Sequence, residues 1–176
     1  MLSMGKDNII LVGFMGTGKS TVGKRISADL GMEYVDTDLL IEKRERRTIN
    51  DIFETMGEGY FRTVEKEVVK EVSRKTQAVI DTGGGVVLDD GNIRNLKAGG
   101  TVFCLTASAE NVYKRTKDHG HRPLLNVDDP IGKIEGLLKS RRRFYMKADY
   151  RVVTDDRDPK AVAGEIEEIY MRGRAR

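Results

Sequence analysis

Eight residues near the N-terminus constrain this chain more than any other feature. Residues 13–20 read Gly-Phe-Met-Gly-Thr-Gly-Lys-Ser and match the pattern G-x-x-x-x-G-K-[S/T]. An apolar run, residues 8–12, precedes the loop, and a segment with apolar residues at helical spacing, residues 19–30, follows it. A glycine-rich loop between a strand and a helix points successive backbone N–H groups at one anion. The pattern therefore predicts a phosphate-binding loop, in preference to a glycine turn that merely begins a helix.

The chemistry of such a loop assigns roles to its last residues. Lys19 would reach the β- and γ-phosphates of a nucleotide, and the Ser20 hydroxyl would coordinate Mg²⁺, one ion per chain. The other predicted contacts with ATP in this loop are Gly16, Thr17, Gly18 and Thr21.

Strand-like and helix-like segments alternate along the rest of the chain. Further strands are predicted at residues 33–35, 78–80, 101–105 and 151–153, and helices at residues 39–76 (broken near Gly57), 108–117, 131–147 and 159–171. This alternation predicts an α/β fold of three layers, a five-stranded parallel sheet with helices on both faces. The 176 residues fit one domain, and residues 172–176 are expected to form a solvated tail.

Composition and charge argue against several classes of protein. No stretch approaches the ~18 apolar residues of a membrane span, and the polar residues 1–7 are too short for a signal peptide. Cys104 is the single cysteine, so an intrachain disulfide is excluded. The net charge of +3 is mild, and the basic runs 43–47 and 141–143 lack the aromatic platform of a nucleic-acid binder. We expect a cytoplasmic protein that binds neither membrane nor nucleic acid.

Acidic residues and glycines follow the second and third predicted strands. Asp36 and Asp38 are two residues apart in an extended segment, so both carboxylates are expected to face one cleft. One would hold Mg²⁺ through water and the other would bind or deprotonate a substrate hydroxyl; the alternative is a helix N-cap, which Asp38 would provide. Asp81 directly follows the apolar run of the third strand. It would either bind Mg²⁺ through water or simply be a polar residue at the end of the strand. Gly83, Gly84 and Gly85 allow positive φ and close approach of the backbone to a ligand.

Arginines in turns are candidate anion-binding residues, since guanidinium groups bind carboxylates and phosphates bidentately. The candidates are Arg62, Arg122 and the run 141–143. Arg122 precedes a proline, which disfavours helix at that position. It lies in a charged, turn-rich segment, residues 117–130, which we predict to be a lid that excludes water from the reaction. An ordinary exposed loop is the alternative.

Taken together, these motifs resemble one family. The phosphate loop, Asp36-Thr37-Asp38, Phe61-Arg62, the glycines 83–85 and Arg122-Pro123-Leu124-Leu125 occur in the order found in shikimate kinases. The resemblance covers nearly the whole chain. The phosphate loop is common to all P-loop proteins, whereas the other four motifs are specific as a set.

The resemblance implies a P-loop NTPase fold like that of nucleoside monophosphate kinases, with strand order 2-3-1-4-5. It further implies a substrate-binding region near residues 33–61 and a lid near residues 117–130. The implied activity is ATP-dependent phosphorylation of the 3-hydroxyl of shikimate, on the route to aromatic amino acids. Members of the family suggest a monomer that needs no partner besides shikimate, ATP and Mg²⁺.

The resemblance also assigns the substrate contacts. The carboxylate of shikimate would pair with Arg62 and Arg141, and Glu65 would orient Arg62. The hydroxyls would contact Asp38 and the glycines 83–85. The ring would lie against Ile49, Phe53 and Phe61.

On the nucleotide side, the resemblance places Asp36 near Mg²⁺ and brings Arg122 from the lid to the phosphates. Arg115 and the region of Pro159 would enclose the adenine. Lys19, Asp38 and Arg122 would then be the catalytic residues, with Asp38 positioning the attacking hydroxyl and Lys19 and Arg122 neutralising the transferred phosphoryl group.

Two departures from the family pattern bear on these assignments. The stretch Arg-x-Pro-Leu-Tyr of the family reads Arg-Arg-Arg-Phe-Tyr at residues 141–145, and counting back from Tyr145 selects Arg141. The position of Asp81 is usually small and uncharged in the family. The alternative functions are a kinase of the same fold for gluconate or a nucleotide, and a non-metabolic P-loop ATPase.

Overall fold

The structure, a computed structural model, describes residues 7–117 and 127–174. The strands are β1 (Asn8–Val12), β2 (Glu33–Asp36), β3 (Ala78–Asp81), β4 (Gly100–Thr106) and β5 (Tyr150–Val153). The helices are α1 (Lys19–Leu30), α2 (Thr37–Glu45), α3 (Ile49–Val72), α4 (Asp90–Gly99), α5 (Ala109–Thr116), α6 (Pro130–Tyr145) and α7 (Pro159–Arg174), with a 3₁₀ turn at Val86–Leu88.

The five strands form one parallel sheet in the order β2-β3-β1-β4-β5. The predicted α/β fold and its strand order are therefore confirmed. In the register of this sheet, Asp36 at the end of β2 pairs with Asp81 at the end of β3. Because the carboxyl ends of parallel strands share one edge, the loops after β1, β2 and β3 meet there.

Alternate residues of each strand supply two separate cores. Ile10, Val12 and Ile80 face the layer that contains α3 and α4, whereas Ile9 and Leu11 face the layer of α1 and α7. Both faces of the sheet are consequently buried, which explains why the strands read as continuous apolar runs. Cys104 lies in β4 and is buried, as its apolar neighbours predicted.

The helical region predicted over residues 39–76 consists of two helices, α2 and α3, separated by residues 46–48. α2 ends at Arg46, which has a φ of 54°, and Thr48 begins α3 with a capping box. The Thr48 hydroxyl accepts from the Asp51 N–H at 3.1 Å, and the Asp51 carboxylate accepts from the Thr48 N–H at 3.3 Å. The predicted break near Gly57 lies inside α3, where that residue has φ 82° and ψ 167°.

The C-terminal tail also differs from its prediction. α7 continues to Arg174, whose guanidinium donates to the Asp7 carboxylate at 2.7 Å and to the Tyr170 hydroxyl at 2.8 Å. The two ends of the described chain are thus tied together. Within residues 7–117 and 127–174, the structure contains no helix with the length and apolar character needed to cross a bilayer.

Candidate active site

The phosphate loop connects β1 to α1, as its sequence predicted. Gly13 has a φ of 143°, and a Cβ there would lie 2.3 Å from the Leu105 carbonyl oxygen, so only glycine fits. The Lys19 ammonium reaches back across the loop and donates to the carbonyl oxygens of Gly13 and Phe14, at 2.9 and 3.1 Å. Thr17 is fully buried, and its hydroxyl donates to the Phe14 carbonyl at 2.7 Å.

The loop forms one wall of an open cleft of about 1020 Å³ at the carboxyl edge of the sheet. Many of the predicted site residues line this cleft: Gly16, Gly18, Lys19, Ser20, Thr21, Asp36, Asp38, Ile49, Phe53, Phe61, Arg62, Glu65, Asp81, Gly83, Gly84, Gly85, Arg115 and Arg141. Of the remaining predictions, Thr17 is a fully buried residue of the loop, Pro159 begins α7 and is not among the cleft-lining residues, and Arg122 lies outside the described residues. Most of the predicted lid, residues 117–130, also lies outside the described ranges.

Asp36 and Asp38 both face the cleft, but for a different reason from the one that the sequence suggested. Asp36 is the last residue of β2, whereas Asp38 already belongs to the first turn of α2. Asp36, and not Asp38, is the N-cap: its Oδ1 accepts from the N–H groups of Asp38 and Leu39, at 2.9 and 3.1 Å. The cap fixes the turn that aims Asp38 into the cleft.

The surroundings of Asp38 raise its pKa to about 7 from an ordinary value of 3.8. Burial makes the largest contribution, and the negative charge of Asp36 adds to it, while Lys19 opposes both. A carboxylate with such a pKa can both accept and release a proton near neutrality.

Asp81 is buried beside the phosphate loop and joins two hydroxyl groups. Its Oδ2 accepts from the Ser20 hydroxyl at 2.6 Å and from the Tyr34 hydroxyl at 2.8 Å. Burial and the neighbouring Asp81 raise the pKa of Tyr34, so its phenol stays protonated and remains a donor. Sequence reasoning missed Tyr34 because only the pairing of β2 with β3 brings that residue beside Asp81.

The three glycines after β3 leave room for side chains. None of Gly83, Gly84 and Gly85 is among the described residues with a positive φ, so the run does not use the conformational freedom that glycine allows. A Cβ on Gly83 would lie 2.7 Å from the Asp38 Oδ1, and one on Gly85 would lie 2.6 Å from the Arg62 Nη2. The glycines therefore let Asp38 and Arg62 lie directly against the backbone.

Arg62 is held in place by two carboxylates on its own helix. Its Nη1 donates to both oxygens of the buried Glu65, at 2.9 and 3.1 Å, and its Nη2 donates to the exposed Glu58 at 3.1 Å. Burial lowers the pKa of Arg62, but the two carboxylates outweigh it and raise the pKa overall. The guanidinium is therefore a positive charge held in the cleft wall by hydrogen bonds to Glu65 and Glu58.

The structure distinguishes among the three consecutive arginines of α6. Arg141 lines the cleft, with its guanidinium carbon 5.6 Å from the Phe14 ring centroid. Arg142 and Arg143 are not among the residues that line the cleft, and the Arg143 guanidinium carbon lies 4.7 Å from the Phe144 ring centroid. Arg141 was selected by its distance in sequence from Tyr145. The Tyr145 hydroxyl donates to the Gly84 carbonyl at 2.9 Å and so connects α6 to the glycine loop.

Arg115 lies at the other end of the cleft. Its guanidinium donates to the Thr154 carbonyl at 2.7 Å, to the Thr154 hydroxyl at 3.0 Å and to the Gly16 carbonyl at 3.3 Å. It thereby fastens the phosphate loop to the segment between β5 and α7.

The residues around Ser20 suit Mg²⁺. That ion keeps several waters and takes few oxygen ligands from the protein. Ser20 is exposed to the cleft, and the carboxylates of Asp36 and Asp81 lie at the same edge of the sheet. Within the described ranges there is no cluster of three or more histidine, cysteine or acidic residues that would form a cage made of protein ligands alone.

Comparison with known proteins identifies the family of this chain. The family profile described as shikimate kinase matches residues 15–170. The shikimate kinase of Thermodesulfovibrio yellowstonii is 45% identical over 165 residues, which cover 94% of this chain and 95% of that protein.

Solved structures of shikimate kinases resemble this chain over nearly its whole length. The shikimate kinase of Acinetobacter baumannii in complex with shikimate superposes with a TM-score of 0.91 at 37% identity, over 97% of this chain and 96% of that one. The shikimate kinase of Aquifex aeolicus superposes with a TM-score of 0.82 at 39% identity, over 96% and 98% of the two chains. The resemblance predicted from the motifs is confirmed, and the chain belongs to the shikimate kinase family.

Proposed function

We propose that this protein transfers the γ-phosphoryl group of ATP to the 3-hydroxyl of shikimate and releases shikimate 3-phosphate and ADP. One observation supports this most strongly. A single cleft joins a phosphate loop to two fixed guanidinium groups, those of Arg62 and Arg141, with the Asp38 carboxylate between the two ends. Such a site suits an acceptor that carries both a carboxylate and hydroxyl groups.

The acceptor end of the cleft supplies each kind of contact that shikimate needs. Arg62 and Arg141 would bind the carboxylate, and Asp38 with the N–H groups of residues 83–85 would bind the hydroxyls. Phe53 and Phe61 have ring centroids 4.8 Å apart and, with Ile49, form an apolar wall for the ring.

The nucleotide end follows from the phosphate loop. The N–H groups of residues 16–21 would hold the phosphates of ATP, and Arg115 with the region of Pro159 would enclose the adenine. Ser20 would contact Mg²⁺ directly, with Asp36 and Asp81 acting through water. The ion, when bound, neutralises negative charge on the phosphates.

The residues of this chain then perform three tasks. Asp38 holds the attacking hydroxyl in line with the γ-phosphate and accepts its proton, for which a pKa near 7 is suited. Lys19 exchanges its bonds to the loop carbonyls for the β- and γ-phosphate oxygens and stabilises the transferred group. Arg122 would add a second positive charge from the lid over residues 117–130, which would exclude water from the reaction.

ADP release in the presence of ATP and Mg²⁺ tests the acceptor. We expect shikimate to stimulate ADP release strongly, and gluconate or a nucleoside monophosphate to leave it at the rate of slow hydrolysis. Turnover with gluconate or a nucleotide in place of shikimate would keep the P-loop kinase but refute the acceptor. Turnover that depends on added nucleic acid would favour a non-metabolic ATPase.

Gly85→Ala tests the acceptor end separately. The new methyl group would displace the Arg62 guanidinium from Glu65, so KM for shikimate should rise roughly 10-fold, the loss of about one charged hydrogen bond. KM for ATP should not change. Gly164→Ala is the matched control, because a Cβ at that position meets no atom within 4 Å. An unchanged KM for shikimate in the Gly85 variant would contradict the role of Arg62.

We further propose that the whole chain acts as one catalytic unit, a cytoplasmic monomer with residues 33–61 as its substrate-binding region. No role in the proposed reaction requires a membrane or a nucleic acid.

A further inference from the structure

A buried carboxylate beside the phosphate loop joins two hydroxyl groups. The Asp81 side chain is 4% exposed, and a single oxygen, Oδ2, accepts from both the Ser20 hydroxyl and the Tyr34 hydroxyl. The three residues come from β3, α1 and β2, so only the folded sheet brings them together. The reaction described above gives Tyr34 no task.

Gly23 on α1 makes room for the tyrosine ring. A Cβ at Gly23 would lie 3.1 Å from the Tyr34 Cε2 and 3.0 Å from the Leu11 Cδ1, closer than ordinary contact. Glycine inside a helix is destabilising relative to alanine. α1 therefore contains a glycine, a poor helix former, at the position where the Tyr34 ring packs against the helix.

The hydrogen bond to Asp81 determines which part of the Ser20 hydroxyl group faces the cleft. A serine hydroxyl has one hydrogen and two lone pairs, and here the hydrogen points at the Asp81 Oδ2. The lone pairs remain for the exposed side of Ser20, where a cation ligand is needed. A hydroxyl free to rotate would present its hydrogen to the cation part of the time.

Two donors on one oxygen also restrict Asp81. Because Tyr34 lies on β2 and Ser20 on α1, rotation of the Asp81 carboxylate would break at least one of the two hydrogen bonds. Without the tyrosine hydroxyl, Asp81 would keep the hydrogen bond from the serine that it orients and the attraction of Lys19, but it would lose the second hydrogen bond that opposes its rotation.

We propose that Tyr34 is a positioning residue for the divalent cation, which acts through Asp81 to keep the Ser20 hydroxyl oxygen directed at the ion. This inference rests on the Mg²⁺ requirement proposed above. It assigns Asp81 chiefly to the orientation of a ligand, and groups of this kind tune the affinity of the metal site they support.

Tyr34→Phe removes only the hydroxyl and tests the inference directly. Mn²⁺, which favours the same oxygen ligands, is titrated into the ADP complex, and free Mn²⁺ is read by electron paramagnetic resonance. We expect the variant to bind Mn²⁺ roughly 10-fold more weakly than the wild type. Its affinity for ADP in the presence of EDTA should be unchanged, which a general loss of structure would not allow.

Two further variants separate this role from simple packing. Tyr60→Phe is the matched control: it also removes a phenol that donates to a carboxylate, that of Glu45 at 2.7 Å, but lies outside the cleft lining, and it should bind Mn²⁺ normally. Gly23→Ala should reproduce the Mn²⁺ defect with the tyrosine still present, because the methyl group displaces the ring. This second route remains informative if Tyr34→Phe folds poorly.

A double variant tests whether Tyr34 acts through Asp81. If it does, Asp81→Asn combined with Tyr34→Phe should bind Mn²⁺ no more weakly than Asp81→Asn alone. Wild-type affinity for Mn²⁺ in a folded Tyr34→Phe variant would overturn the inference and leave the Mg²⁺ requirement intact. A wild-type ADP complex that binds no Mn²⁺ would refute the requirement itself, and the inference with it.

Discussion

Replacing Asp38 with asparagine should lower kcat for shikimate phosphorylation by about 10²- to 10⁴-fold, the usual contribution of a general base. Asparagine keeps the shape and one hydrogen-bond acceptor but cannot accept the proton of the substrate hydroxyl. The affinity for ADP should stay within about twofold, because the group acts at the acceptor end of the cleft. Steady-state kinetics and calorimetric titration of ADP measure the two quantities. Near-normal turnover in this variant would refute the role of Asp38 as the base.

The pH dependence of the same pair of proteins provides an independent check. With a pKa of about 7, Asp38 is protonated and inactive as a base at lower pH, so wild-type kcat/KM should fall as the pH drops below about 7. That fall should be absent from the residual activity of Asp38→Asn. Asp90→Asn, an exposed carboxylate on α4, should retain the wild-type profile.

Stability should change in the opposite direction to activity. The pKa of Asp38 is higher in the folded state than its ordinary value of 3.8, so the folded protein binds the proton more tightly than the unfolded chain. The stability linked to this group is therefore fully present below about pH 4 and is lost as the pH rises through 7. Asp38→Asn should raise the melting temperature at pH 8 and leave it nearly unchanged at pH 4.

Replacing Lys19 with methionine should lower kcat/KM for ATP by about 10³-fold or more. Methionine preserves the apolar part of the side chain but removes the only charge that the phosphate loop itself contributes. The lysine is 9% exposed and directed across the loop, so water cannot take over its bonds to the phosphates efficiently. Unlike Asp38→Asn, this variant should also bind ADP more weakly.

The matched control for this prediction is Lys70→Met, which removes an exposed ammonium group from α3. It should retain wild-type kinetics and ADP affinity. A Lys19 variant that loses turnover but binds ADP normally would restrict the lysine to the transition state. A variant with normal turnover would contradict the assignment of the phosphate loop.

The parts of this protein that were predictable from sequence are those set by local patterns. The phosphate loop has a fixed spacing between a strand and a helix, and the strands are continuous apolar runs because both faces of the sheet are buried. The boundary between α2 and α3 was also readable, since Thr48 and Asp51 form a capping box, but the charged residues around it obscured that signal.

The parts that were not predictable depend on contacts between distant segments. The reason for glycine at position 85 is the guanidinium of Arg62, which comes from another element, and the role of Tyr34 depends on the register of β2 against β3. Such contacts have no local signature in the chain.

The interruption of α3 at Gly57 places the two halves of the acceptor pocket on separate stretches of one helix. The two turns before Gly57 carry Ile49 and Phe53, whereas the turns after it carry Phe61, Arg62 and Glu65. Phe53 and Phe61 pack across the interruption with ring centroids 4.8 Å apart, so the apolar wall spans both stretches. Because Gly57 has a φ of 82°, which residues with a Cβ rarely adopt, the angle between the two stretches depends on glycine at that position, and so does the shape of the pocket.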